Sequence, residues 1–150
     1  MVKVRASEMS IQVAIVEDDA GFRSLVEQFL NEAPGFRCVG CFGSAEEALK
    51  GIPKLEPDIV LMDIHLPNRS GIEAVGQLRE LLPKTPVLML TVNTDTDSIF
   101  KALKAGARGY LLKRTAPQKL LPAIQEALSG GSPMTGEIAR QVVDFFAKNY

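Results

Sequence analysis

Five short apolar runs, at about 11–16, 36–41, 58–62, 86–91 and 108–112, alternate along the chain with five longer segments of helical period. The helical segments fall at about 20–32, 45–52, 71–82, 95–105 and 117–129. The runs are apolar throughout, as expected for parallel strands covered by helices on both faces, and the alternation is that of repeated βαβ units. Local chemistry marks the helix starts: Ser44 with Glu47, Ser70 with Glu73 and Thr115 with Gln118 each fit a capping box. Pro117 fits a first turn, where its missing N–H costs nothing. In the first helical segment Phe22, Leu25, Val26, Phe29 and Leu30 recur at three and four residues and predict one buried stripe. Stops are marked by Pro34-Gly35, by Gly106 and by Gly130-Gly131.

The predicted fold is therefore α/β, a doubly wound five-stranded parallel sheet, with an extra C-terminal helix opening near Thr135. Residues 1–10 are expected to be a flexible lead-in and 131–150 a linker plus that helix. Ile138, Val142, Phe145 and Phe146 line one side of it. The stripe predicts either packing back on the domain or a contact with another chain, a homodimer included. At 150 residues, 46% hydrophobic and 23% charged, the chain is expected to be one soluble domain with a real core. A net charge of −1 argues against direct binding of nucleic acid or an anionic membrane. No apolar stretch approaches the roughly 20 residues needed to span a bilayer. The amino terminus has no apolar core of the kind a secretory signal needs, so the default address is cytoplasmic.

Cys38 and Cys41 stand in a C-x-x-C spacing within a strand-like run. Zinc would call for a second pair or histidines, and His65 is the one histidine. Residues three apart on a regular strand point to opposite faces. The expectation is two reduced, buried cysteines that do not meet.

The strand ends carry the candidate chemistry. Glu17 and Asp18 follow the first run, Asp63 the third, Thr91 ends the fourth and Lys113 follows the fifth. In doubly wound sheets ligands sit beyond the carboxyl ends of the strands, where the strand order reverses. For the flavodoxin-like order 2-1-3-4-5 that point lies between the first and third strands, which end in acids. Three crowded carboxylates repel unless a cation joins them, and Mg²⁺, which prefers oxygen ligands, fits. An aspartate can act as a nucleophile toward phosphorus, with Lys113 as cation and Thr91 as hydroxyl donor for the phosphoryl oxygens. Asp19 is read as a helix N-terminal acid and nothing more.

Over about residues 10–130 the chain resembles the receiver domain of two-component response regulators. The motifs are Val13-Ala14-Ile15-Val16-Glu17-Asp18-Asp19, Asp58-Ile59-Val60-Leu61-Met62-Asp63-Ile64-His65-Leu66-Pro67, Ser70-Gly71-Ile72-Glu73, Thr91 and Gly106-Ala107-Arg108-Gly109-Tyr110-Leu111-Leu112-Lys113. The resemblance implies that Asp63 accepts a phosphoryl group from a sensor histidine kinase. It implies Mg²⁺ held by Asp18, Asp63 and the backbone carbonyl of His65, with Glu17 reaching it directly or through water. Thr91 and Lys113 would contact the phosphoryl group. Thr91 would then draw inward and Tyr110 turn from an exposed to a buried rotamer, altering the surface around the fourth helix and fifth strand. Ile99 and Phe100 lie on that helix, and core packing is expected for one of them.

Three residues depart from the family pattern. Arg114 stands where a proline often follows the lysine, so a cis bond there would be the costly non-proline kind. Val92 is bulkier than the usual alanine and is expected to hinder the loop shift. His65 lies two past the nucleophile, where family side chains tune loss of the phosphoryl group. Residues 113–124 with Gly130-Gly131 resemble the subgroup whose receivers precede a LuxR-type helix-turn-helix. DNA contact is then expected only through such a domain, making this chain a piece of a transcription factor; a stand-alone receiver is the alternative. Two other classes are weaker. An aspartate-nucleophile phosphatase wants an acid where His65 stands. A flavin binder wants an anion cradle where Glu17-Asp18-Asp19 would repel phosphate.

Overall fold

The computed structural model describes residues 9–150, so most of the expected lead-in lies outside the described residues. It contains a five-stranded, all-parallel sheet in the order β2-β1-β3-β4-β5. The strands are β1 (Ile11–Val16), β2 (Phe36–Phe42), β3 (Ile59–Met62), β4 (Val87–Thr91) and β5 (Gly109–Leu112). The helices are α1 (Ala20–Glu32), α2 (Ala45–Leu55), α3 (Gly71–Leu81), α4 (Thr96–Ala105), α5 (Leu120–Leu128) and α6 (Gly136–Asn149). The strands fall within a residue of the expected runs.

Period-2 alternation divides each strand between two cores. Val13, Ile15, Ile59, Leu61, Leu88, Leu90 and Leu111 face α1 and α5, against Val26, Leu30, Leu120 and Ile124. Ala14, Val16, Val60, Met62, Met89, Tyr110 and Leu112 face the other way, against Ile52, Leu78, Ile99 and Ile138. Burying each large aliphatic side chain stabilises the fold by about 1.5–3 kcal/mol, so both layers hold the sheet. The α1 stripe is narrower than expected. Val26 and Leu30 are buried, but Leu25 is 53% exposed because it lies at the margin of the stripe, clear of the sheet.

Helix starts differ in detail. Ser44 accepts from Glu47 N, while the Glu47 carboxylate takes Gly43 N, one residue before the expected partner. Ser70 accepts from Ile72 N, and Glu73 turns instead toward Arg69. The Thr115–Gln118 box does not form. The Thr115 hydroxyl donates to Leu112 O at 2.7 Å, Lys113–Thr115 wind into one 3₁₀ turn, and α5 begins at Leu120. Pro117 thus precedes the helix, and the cis peptide is Ala116–Pro117, not the bond after Lys113.

After α5 the chain returns along the open edge of β5. Tyr110 N donates to Pro133 O, Thr135 N donates to Tyr110 O, and Leu112 N donates to the Thr135 hydroxyl. Gly109 permits this approach: a Cβ there would lie 2.3 Å from Pro133 O. The α6 helix then packs back on the domain. Ile138 is fully buried, Val142 packs on the same core, and Phe145 stacks at 4.2 Å on Phe100 of α4. Gln141 donates to Thr94 O and accepts from the Thr96 hydroxyl, and Arg114 pairs with Glu137.

The cysteines are free but, contrary to expectation, neither fully buried nor apart. Cys38 is opposite Val13 and Cys41 opposite Ile15, but Ala14 is opposite Gly40, so Val39 is an extra residue in a β-bulge. The bulge resets the parity of β2. Both thiols therefore turn to the α1 face, only half-buried, with their sulfurs 3.5 Å apart.

Candidate functional site

Asp63, Glu17, Asp18, Thr91 and Lys113 gather at the carboxyl edge of the sheet because parallel strands end together there. Asp63 N donates to Val16 O and Glu17 N to Phe42 O, which ties the ends of β3, β1 and β2 to one another. Among the described residues the buried polar or charged side chains are Glu17, Asp63 and Thr91. All three belong to this one crevice. Burying carboxylates is costly without partners, and the partner is Lys113. Its Nζ lies 3.0 Å from Asp63 Oδ2 and 2.6 Å from Glu17 Oε1, and 4.6 Å above the Phe22 ring.

Glu17 is occupied on both oxygens, since Oε2 accepts from Asp19 N at 3.0 Å. Burial nevertheless outweighs these bonds and raises the Glu17 pKa above the usual carboxylate range, with nearby Asp63 adding to the rise. For Lys113, burial favours the neutral amine, but hydrogen bonds to Glu17 and Asp63 prevail and hold its pKa above the ordinary lysine value. Asp18 is exposed at the mouth, with a carboxylate oxygen within 4.8 Å of ligand oxygens of both Glu17 and Asp63. Asp19 caps α1 by accepting from Phe22 N, as its N-terminal position suggests.

The loop after Asp63 is drawn tight. Gly71 N donates to Ile64 O, and a Cβ on Gly71 would lie 1.8 Å from Asp63 O. Only glycine lets the start of α3 approach the Asp63 backbone this closely. His65 N donates weakly to Asp63 Oδ1 at 3.4 Å, and the exposed His65 ring reaches Asn93 Nδ2 at 3.4 Å. Across the crevice the Thr91 hydroxyl accepts from Asn93 N at 3.3 Å. Val92 is 66% exposed, so its bulk faces solvent. Tyr110 stands inward and fully buried, with its hydroxyl donating to Asn93 O at 2.7 Å. Burial raises the Tyr110 pKa further above the usual phenol range. Ile99 is the core residue of its pair, and Phe100 meets α6.

Sequence reasoning overlooked Asn93. Its backbone holds Tyr110 and Thr91, its side chain meets His65 and Ser98, and its Oδ1 accepts from Asp95 N. The signal was Asn93 two before Asp95, an Asx-type turn leading into the helix cap that Asp95 makes to Ser98 N. Phe22 under the lysine was read only as core.

The donor set suits a hard divalent cation: three carboxylates with oxygens in reach of one another, facing water at Asp18. Among the described residues no helix is long and apolar enough to cross a membrane.

The family model for the response regulator receiver domain matches residues 13–125. The transcriptional regulatory protein DegU of Brevibacillus brevis is 32% identical over 139 residues, covering 93% of this chain and 59% of DegU. UhpA of Escherichia coli (strain K12), also a transcriptional regulatory protein, is 38% identical over 130 residues, covering 86% of this chain and 64% of UhpA. The chain thus spans about three-fifths of the length of these curated relatives. A solved LuxR-family two-component response regulator from Aurantimonas sp. SI85-9A1 superposes with a TM-score of 0.87 at 30% identity, covering 92% of this chain and 99% of that one. Strand order, the acids ending β1 and β3, and the match over 13–125 agree: the chain belongs to the response regulator receiver domain family of two-component signalling.

Proposed function

We propose that Asp63 is the phosphoacceptor and that its phosphorylation by a sensor histidine kinase reshapes the surface of α4 and β5. One observation carries the reading: the buried polar side chains among the described residues meet at Asp63, with a lysine nitrogen 3.0 Å from its carboxylate. In the reaction an Asp63 oxygen forms a bond to phosphorus while the bond from phosphorus to the kinase imidazole nitrogen breaks. The imidazole leaves with that electron pair and is neutralised by a proton from solvent. Asp18, Asp63 and the His65 backbone carbonyl would hold Mg²⁺, with Glu17 acting through water because both its oxygens are engaged. The bound ion would offset phosphoryl charge and align the donor.

Lys113 exchanges its carboxylate partners for a phosphoryl oxygen, and the Thr91 hydroxyl donates to another. Thr91 is coupled through Asn93 to the Tyr110 hydroxyl, and through the following Thr94 to Gln141 on α6. The bistable element is therefore the 91–95 loop, and α6 lies over the face it moves. As the relatives are transcriptional regulators, that face would govern a DNA-binding output, and dimerisation on it is part of the same reading.

The test is labelling with Mg²⁺ and a small phosphodonor. One phosphate per chain is expected, and none in Asp63→Asn. Full labelling of that variant would show that the acceptor lies elsewhere.

A further inference from the structure

Half-way along β2, away from the acidic crevice, two thiols and a carboxylate converge. Cys38 Sγ and Cys41 Sγ are 3.5 Å apart, Glu27 Oε2 of α1 is 3.3 Å from Cys41 Sγ, and the ligand atoms of all three lie within 4.8 Å of one another. We propose that Glu27, Cys38 and Cys41 form a binding site for a thiophilic divalent cation of the zinc class, clipping α1 to the edge strand.

The distances match the edges of a tetrahedron. With metal–sulfur bonds of about 2.3 Å, two thiolates on one tetrahedral ion lie about 3.8 Å apart. With a carboxylate oxygen at about 2.1 Å, the sulfur–oxygen edge is about 3.6 Å. Both of these separations are a few tenths of an ångström shorter, and the third, from Cys38 Sγ to a Glu27 oxygen, is within 4.8 Å, so an entering ion has two edges to spread slightly and a third already in reach. A disulfide asks more of this geometry, because the sulfurs would have to close to about 2.05 Å.

The backbone supports the same reading. The bulge at Val39 is what turns both sulfurs to one face, and it does so where a regular strand would separate them. Cys38 N is anchored to Asn31 Oδ1 at 2.8 Å, so α1 supplies both a ligand and a brace for the strand that carries the other two. Glu27, Cys38 and Cys41 are each partly exposed, which gives the ion a path from solvent and leaves a fourth position for water. On binding, the two thiol protons pass to solvent, and two thiolates with one carboxylate face the dication. Soft sulfur ligands distinguish this site from the all-oxygen crevice at Asp63.

Cobalt(II) is the probe. The reduced full chain, titrated with Co²⁺, should develop a thiolate-to-cobalt charge-transfer band that saturates at one equivalent. Zn²⁺ should bleach it, and a large excess of Mg²⁺ should leave it. Cys38→Ser and Cys41→Ser should each abolish the band, and Glu27→Gln should keep it while weakening cobalt affinity at least about tenfold. Circular dichroism of each variant separates lost binding from lost fold. Absence of the band in the parent chain, its survival when both cysteines are serine, or unchanged affinity in Glu27→Gln would each overturn the site.

Discussion

The carboxyl-edge crevice and the thiol pocket on β2 both gather ionisable groups, but by different means. In the crevice, Glu17, Asp63, Thr91 and Lys113 come from strand ends, and parallel strands of similar length bring their ends together whatever the detailed register. In the pocket, Cys38 and Cys41 sit within one strand, where facing is decided by parity, and a single extra residue reverses it. Strand-end sites are robust to small register errors. Mid-strand sites are not.

The two also differ in what holds them. The crevice is an ionic arrangement around Lys113, whose side chain is 15% exposed between carboxylates at 4%. Removing one member of such a buried set leaves charge uncompensated, at about 3–5 kcal/mol. Lys113→Ala is accordingly expected to be the most damaging substitution of this set, measured by urea denaturation at neutral pH. Added Mg²⁺ should restore part of the loss. The pH dependence has a definite sign. The Lys113 pKa is raised by folding, so its contribution is complete below the ordinary lysine value and lost as pH rises through the folded one. The parent's advantage over Lys113→Ala should thus shrink in strong alkali. If the variant is as stable as the parent at neutral pH, the ionic account of the crevice is wrong.

Next in size is Gly71→Ala. A methyl group 1.8 Å from Asp63 O forces α3 or the Asp63 loop to move, at about 1–3 kcal/mol, and if Asp63 is the acceptor proposed above, phosphorylation should slow with it. Gly76→Ala is the natural control. Nothing lies within 4 Å of a Cβ there, so the change should stabilise α3 by about 0.5–1 kcal/mol. Equal effects at the two glycines would show that helix propensity, and not the approach to Asp63, governs Gly71.

In the thiol pocket single losses should be milder. Cys41→Ala removes a half-buried small hydrophobe and its contact with Glu27, at about 1 kcal/mol in metal-free buffer. A cost as large as that of Lys113→Ala would mean that the pocket is as tightly held as the crevice, and the contrast between them would fail.

These differences explain which features are legible in the sequence. Apolar runs ending in Glu17, Asp63, Thr91 and Lys113 announce both the sheet and the cluster at its carboxyl edge, since burial and strand direction suffice to bring them together. The Val39 bulge leaves no comparable trace: Phe36-Arg37-Cys38-Val39-Gly40-Cys41-Phe42 reads as one regular strand, and only pairing with β1 shows the extra residue. The start of α5 departs from its local pattern for a related reason. Thr115 and Gln118 have the spacing of a capping box, but tertiary placement of Lys113 at the crevice winds the chain into a 3₁₀ turn first. Tyr110 was expected to begin exposed, and the strap at 133–135 with α6 over it was not visible in local pattern.

The smallest effect tests the electrostatics most finely. Burial raises the Glu17 pKa, so this carboxyl favours the folded state when protonated, and that contribution is lost as pH rises from its unfolded value, near 4.5, through the folded one. Glutamine copies the protonated form at every pH. The stability of Glu17→Gln relative to the parent should therefore climb with pH across that window and level off above it, followed by thermal melts in Mg²⁺-free buffer. The contact with Lys113 strengthens as Glu17 ionises and opposes this trend, but burial outweighs it, so the climb remains. A relative stability that falls with pH would mean that Lys113 outweighs burial at Glu17 and that the crevice is poised by its salt bridges alone.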